Sequence, residues 1–352
     1  GVARSEDGQR RDASGHAGAA PQTQDGWLDA LRGALEQAPA LLPELPEIPF
    51  RGGLVGVAGY DVVRRFERLP DAPPPPSMPE AAYMATESLL VFDHLTRRVA
   101  LLHSGEQTDR VRLREQVVEL LRGPLPVSAG AGGQVGEAAA SLSRAEFCEH
   151  VAAAREHIAA GDIYQIVLSV CFSGKTDVQP FEVYRALRLL NPSPYMFFCD
   201  FDDLQVAGSS PEALVRLSGS SASLRPIAGT LPRGDSEVQD ETNAQRLLAD
   251  PKERAEHVML VDLARNDLGR VAAPGTVGVS PYMSIERYSH VMHIVSGVEG
   301  QLDEDKDAFD LFAAAFPAGT LVGAPKVRAM ELIDGFEPVG RGLYAGTVGY
   351  FG

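Results

Sequence analysis

Apolar side chains recur at helical spacing in some stretches and alternate as in strands in others, and the changes between the two mark the elements. Trp27, Leu28, Leu31, Ala34 and Leu35 set a helix over 27–42, which the prolines of 43–49 break. Residues 51–67 begin as a glycine-laced strand and finish as a short helix, and 71–79 form a proline-rich, extended connector. Residues 82–94 and 97–103 alternate as two strands of a hairpin turning at 93–96, and Val111, Val117, Val118 and Leu121 mark a helix over 110–122. Gly, Ala and Ser then dominate 123–143, the composition of a linker. A helix over 144–160 follows, with Phe147, Val151, Ala154 and Ile158 on one face, then a strand over 163–172 and a helix over 181–190. Short β-like runs cover 195–201, 204–208, 213–217 and 221–226, with further strands at 275–279 and 291–298 and helices at 308–316 and 325–333. Strands outnumber helices and come in runs, which predicts an α+β fold rather than βαβ units.

One stretch, 250–271, reads as a helix with both ends marked. Asp250 is an N-cap, Pro251 fits the first helical position, Glu253 has the spacing of a capping box, and Gly269 is a stop signal. Val258, Val261, Leu263 and Leu268 supply apolar surface. Glu253 and Glu256 share a face three residues apart. With His257, Glu256 falls amid apolar neighbours where bare charge is costly. A carboxylate there calls for a cation, and Mg²⁺ held by one or two carboxylates plus substrate oxygens would serve.

Composition narrows the function. A net charge of −16 argues against nucleic acid or an anionic membrane as partner, and 44% hydrophobic content supports a sizeable core. Cys148, Cys171 and Cys199 are scattered, as in a reduced cytoplasmic protein without a disulfide frame or a zinc site. No apolar run approaches the ~18 residues of a membrane span. The pattern divides the chain into a mobile tail at 1–26, an N-terminal α/β region at 27–122, a linker at 123–143 and a main domain at 144–352. A first residue other than Met, and a final strand-like run with no closing element, lead us to expect a fragment.

Several stretches put polar groups where the pattern asks for apolar ones, or free the backbone with glycine. Glu212, after Ser210 and Pro211, opens a strand as either a buried general acid or a turn glutamate in water. Thr230 closes the strand run 226–230 as either a hydrogen-bond donor in a pocket or an ordinary strand-end threonine. His290 and His293 cannot both face one site on a strand, and a lone histidine there is commonly a core residue. The glycine loop 317–326 feeds a helix beginning at Pro325, where backbone N–H groups and Lys326 could hold an anion, or merely connect two elements. Tyr344 falls in the last strand and reads by default as core.

Taken together, Gly-Asp-Ile-Tyr-Gln at 161–165, Ser-Pro-Glu at 210–212, Pro-Ile-Ala-Gly-Thr at 226–230, Glu-His-Val-Met-Leu-Val-Asp-Leu at 256–263, Arg-Asn-Asp-Leu-Gly-Arg at 265–270 and Gly-Thr-Leu-Val-Gly-Ala-Pro-Lys at 319–326 carry a resemblance. The chain resembles the large subunits of anthranilate synthases among the chorismate-utilising enzymes, strongly over 144–352 and more weakly over 52–67. The resemblance implies packed antiparallel sheets flanked by helices, truncated at the C-terminus. It implies Mg²⁺-dependent conversion of chorismate and ammonia to anthranilate and pyruvate, the first step of tryptophan biosynthesis. By resemblance Glu256 is a metal ligand and Glu253 supports its water shell, with the capping role of Glu253 still open. Glu212 is the general acid, His293 serves the loss of pyruvate, Thr230 and Thr320 donate to substrate, and Tyr344 and Gly346 contact it.

Ala228 stands where aminodeoxychorismate synthases carry a nucleophilic lysine, which favours ammonia as nucleophile and the anthranilate branch. Asn191, Pro192, Ser193, Pro194, Tyr195 and Met196 resemble the border of a tryptophan feedback site, or form a plain turn into a strand. A glutaminase signature is absent, so a separate glutamine amidotransferase subunit would supply ammonia. The chain departs from the family at Val170-Cys171 and at Gly297, lacks the upstream Leu-Leu-Glu-Ser motif, and stops before the family's second metal glutamate, so this fragment alone is expected to be inactive. An aminodeoxychorismate, aminodeoxyisochorismate or isochorismate/salicylate-type enzyme, and a non-catalytic tryptophan- or subunit-binding paralogue, are the competing readings.

Overall fold

The computed structural model describes residues 2–6, 9–11, 17–19, 24–38, 48–70, 78–124, 133–288 and 290–352. Its helices, in chain order, are α1 (Gln24–Glu36), α2 (Gln107–Arg122), α3 (Arg144–Ala160), α4 (Pro180–Leu190), α5 (Glu237–Ala249), α6 (Pro251–Gly269), α7 (Ala308–Ala315), α8 (Gly319–Val322) and α9 (Lys326–Phe336). Among the described residues every strand pair is antiparallel, and the helices pack on the sheets, an α+β architecture. None of these helices is long and apolar enough to cross a membrane.

The largest sheet joins distant parts of the chain. Gly53–Ala58 sits between Ala81–Thr86 and the late strand Thr347–Phe351. Val2–Glu6, Gln9–Arg11 and Ala17–Ala19 extend the same sheet beyond Ala81–Thr86, where the sequence predicts a mobile tail. Two features make this pairing register possible. Gly56 lies so close to Tyr83 and the Ala82 carbonyl that a Cβ would overlap both. Beneath the sheet, Trp27, Leu28 and Leu31 of α1 share one apolar cluster with Phe309 and Phe312 of α7 and Met330 and Ile333 of α9. The segments on either side of the expected linker at 123–143 therefore share a sheet and a core. Residues 125–132 of the linker lie outside the described residues.

Two smaller sheets carry the site. Val291–Val295 is flanked by Ile227–Pro232 and Ser284–Arg287, and its buried Met292 and Ile294 pack on Ala244 and Leu247 of α5. Ser221–Leu224 pairs with Val298–Gln301 over Val261, Ala264 and Leu268 of α6.

The structure corrects several sequence expectations. The predicted strand over 82–94 breaks at Glu87 into Ala81–Thr86, in the large sheet, and Ser88–Asp93, in a hairpin with Arg98–His103. The strand over 163–172 shrinks to Gln165–Ile166 and Phe172–Ser173. Residues 226–230 do not end a strand but open Ile227–Pro232. The apolar face of α3 buries Ala154 alone, with Val151 and Ile158 left exposed. Sequence periodicity misses α5, which Ser236 caps by accepting the Gln239 N–H.

Candidate functional site

Helix α6 is the spine of the site. Asp250 Oδ1 accepts the N–H groups of Lys252 and Glu253 at 2.9 and 3.1 Å, satisfying two donors that the helix start leaves orphaned. Glu253 closes no capping box: its carboxylate lies 3.7 Å from Lys252 Nζ and against the backbone of Gly229. One turn on, Glu256 accepts a long hydrogen bond from Gln165 Nε2 at 3.5 Å. Buried His257, 2.7 Å from Ser296 Oγ through Nε2, is pushed down from its ordinary pKa by burial, so it adds no charge near neutral pH. Further along the same stripe, Leu260, Leu263, Ala264 and Asp267 form one wall of a cavity.

The opposite wall carries Glu212 and Thr320. Glu212 does not open a strand. It lies just beyond the end of Gln205–Ser210, where the Ser210 hydroxyl donates to its carbonyl at 2.9 Å and turns the chain inward. Burial pushes its carboxyl up to about 7, against the opposing effect of the Thr320 hydroxyl, which donates to Oε2 at 3.1 Å. Thr320 sits in the single turn of α8, and that turn passes so close to α6 that a Cβ on Gly319 would overlap Leu263. The glycine loop is thus a close approach of backbone to helix.

Lys326 does not serve an anion. Pro325 is the N-cap, and Lys326, the first residue of α9, donates to both carboxylate oxygens of Asp267 at 2.9 Å and to the Ala315 carbonyl at 3.0 Å. Burial lowers the Lys326 pKa and raises that of Asp267. Among the charged groups lining the cavity, Asp267 is neutralised in this way, and Arg225 is paired with Glu286.

Thr230 and His293 meet through a β-bulge. The register runs Ala228 to Ile294 and then Thr230 to His293, so Gly229 is the extra residue, with φ +66°. The bulge re-aims Thr230 so that its Oγ1 lies 3.1 Å from His293 Nδ1. The Gly229 carbonyl lies 3.1 Å from the same nitrogen, and a carbonyl can only accept. In the neutral ring the proton therefore belongs on Nδ1, the tautomer that leaves Nε2 as the acceptor. His290 precedes the strand and is exposed, while His293 lies partly buried in its middle. Ala228 is buried on the same strand, beyond the wall residues Arg225 and Pro226.

Tyr344 is neither in a strand nor in the core: it precedes Thr347–Phe351, is 46% exposed, and one face lies 5.4 Å from the guanidinium of Arg341. Gly346 stands where a Cβ would overlap the Ala58 carbonyl. Asn191 ends α4 and accepts the Ser209 hydroxyl at 2.6 Å through its carbonyl, and Tyr195 and Met196 pair with Ser210 and Ser209. This places the 191–196 segment beside the strand that leads to Glu212. Sequence reasoning misses Gln165 as a partner of Glu256, and misses Arg341 and Glu337 altogether. Their one local signal is charge four residues apart after a helix.

The fit of a divalent metal rests on α6. No group of three or more His, Cys, Asp or Glu able to hold a metal occurs among the described residues. Two carboxylates one turn apart, with the buried and unpartnered Oε1 of Gln165 beside one of them, still match the donor set of Mg²⁺, which takes few protein carboxylates and keeps waters and substrate oxygens.

The chorismate binding enzyme family model matches residues 3–352. Anthranilate synthase component 1 of Streptomyces coelicolor is 49% identical over 346 residues, covering 92% of this chain and 66% of that protein. The Thermus thermophilus component 1 is 47% identical over 327 residues, covering 92% of this chain and 71% of that protein. The chain thus spans about two thirds of the length of these curated relatives (66% and 71%). The crystal structure of anthranilate synthase component I from Streptococcus pneumoniae superposes with a TM-score of 0.86 at 35% identity, over 99% of this chain and 78% of that one. The menaquinone-specific isochorismate synthase from Escherichia coli, at 21% identity and a TM-score of 0.67 over 95% of this chain and 73% of that one, shares the fold. With a family model matched across nearly its whole length, the chain belongs to the chorismate binding enzymes.

Proposed function

We propose that this chain carries the chorismate-converting site of an anthranilate synthase large subunit, turning chorismate and ammonia into anthranilate and pyruvate. The observation that carries the reading is Glu212: a carboxyl buried against α6, held near 7 and hydrogen-bonded by Thr320, is a proton donor suited to neutral pH. In this reading Glu212 protonates the C4 hydroxyl, which leaves as water while ammonia adds at C2. Removal of the C2 proton and cleavage of the enolpyruvyl ether then give the aromatic ring and pyruvate. His293, with Nδ1–H given to Gly229, offers Nε2 to that second step. Thr230, Tyr344 and Gly346 orient the substrate. Buried Ala228 offers no nucleophile, which leaves the ring carbon to ammonia.

Glu256, with Glu253 behind it, would hold Mg²⁺, whose charge would bind a chorismate carboxylate and offset the acidic chain. Ammonia would come from a glutamine amidotransferase subunit, and tryptophan would act as feedback ligand near 191–196. Three unpaired cysteines suit a reduced cytoplasm.

The test is product analysis on the protein that carries this chain, supplied with chorismate, ammonium and Mg²⁺. Anthranilate and pyruvate in equal amounts support the reading, and an aminated intermediate without pyruvate refutes it. Glu256→Gln should abolish Mg²⁺-dependent turnover, and unchanged activity would remove the metal role.

A further inference from the structure

We propose that Arg341 is a positioning residue for Glu212, acting through the backbone of α8 and the hydroxyl of Thr320. The proposal rests on the reading of Glu212 as the general acid.

The Arg341 side chain is 1% exposed, and four of its N–H donors meet four acceptor atoms. Nε and one terminal nitrogen grip the two carboxylate oxygens of Glu337 at 2.9 and 2.6 Å. The terminal nitrogens also donate to the Leu321 carbonyl at 2.8 Å and the Val167 carbonyl at 2.7 Å. Tyr60 and Tyr344 cover the guanidinium at 5.2 and 5.4 Å. Glu337 is fixed in turn, because its Oε1 accepts the Ser169 N–H at 2.8 Å.

The targets explain the arrangement. Leu321 follows Thr320 in a single helical turn that has no side-chain cap, and one turn of helix cannot hold itself in place. Val167 N–H already donates to the Val322 carbonyl at 3.0 Å, so the guanidinium clasps both sides of that backbone crossing. The fork thereby locks α8 to the segment that begins with Gln165, the partner of Glu256, and lies against Tyr344. A planar five-donor group can do this, and the ammonium of lysine cannot. With the clasp loosened, Thr320 drifts from Glu212 and the carboxyl loses its one side-chain hydrogen bond. The charged groups lining the Glu212 cavity, Arg225 with Glu286 and Asp267 with Lys326, are unaffected by the change.

The experiment compares pH profiles of kcat/KM for wild type, Thr320→Val, Arg341→Lys and the double variant, in the protein that carries this chain. Lysine keeps the charge, so a shift reports position and not a lost long-range field. Arg341→Lys should move the alkaline limb upward by about half to one pH step, in the direction of Thr320→Val. The double variant should move no further than Thr320→Val alone. A profile for Arg341→Lys that overlies the wild type, or shifts that add in the double variant, overturns the role of Arg341 and leaves the reading of Glu212 standing. An unmoved profile for Thr320→Val overturns both. If Arg341→Lys does not fold, Glu337→Gln, which frees one side of the guanidinium, must move the limb the same way, and an unmoved limb there overturns the proposal equally.

Discussion

Replacing Glu212 by glutamine should change how folding stability depends on pH, whatever the activity of the protein. A glutamate in an unfolded chain gives up its proton near 4.5, whereas burial pushes the folded Glu212 up to about 7. Between those values the folded state holds a proton that the unfolded state has released. Stability is therefore fully present below 4.5 and falls as pH rises through about 7. At about 1.4 kcal/mol for each tenfold change, the fall attributable to this one carboxyl is about 3 kcal/mol. Glutamine has nothing to ionise, and its amide oxygen still accepts from Thr320. Glu212→Gln should match the wild type to within a constant offset at low pH and gain about 3 kcal/mol on it above neutrality. Urea titrations across that range measure the difference, and other titrating groups cancel because both proteins share them. The single tryptophan, Trp27, is buried against Phe66 and Phe312, so its emission reports loss of the main core. Two stability curves that run parallel across the window would refute the assignment of a buried, proton-holding carboxyl.

Two further substitutions probe the frame of the site. Gly229→Ala places a Cβ at φ +66° within 3.1 to 3.4 Å of Leu247, Glu253 and Ile294, and should cost about 1–3 kcal/mol and displace Thr230 from His293, seen as a lowered Tm and displaced His293 ring resonances in the NMR spectrum. Lys326→Met strands buried Asp267 and should cost about 3–5 kcal/mol in urea unfolding, most of which the double variant with Asp267→Leu should recover.

The parts of this architecture that sequence could announce are those with local causes. Asp250 sits next to the N–H groups it serves, and Pro251 has no N–H to leave orphaned, so the start of α6 was legible, as was the turn where Asp93 accepts from Leu95 and Thr96. α5 was not, because among its few apolar residues Val238 points into solvent while Ala244 and Leu247 do the packing. The pairing of Thr320 with Glu212 spans 108 residues and has no local signature, although each residue alone could be suspected from its motif. The bulge at Gly229 was invisible because the extra residue is defined by the strand opposite. Lys326 misled for a related reason: a lysine at a helix start invites an anion, and the acid that neutralises it, Asp267, lies 59 residues away.

The pairing of Gly53–Ala58 with Thr347–Phe351 has a bearing on how the molecule is made. The two strands lie about 290 residues apart, so one side of the earlier strand has no mate until synthesis is far advanced. During that interval its unsatisfied backbone is open to neighbouring nascent chains on the same messenger. Slowing elongation ahead of the codons for 347–351 should therefore raise the fraction lost to inclusion bodies, while pauses placed after them should be harmless.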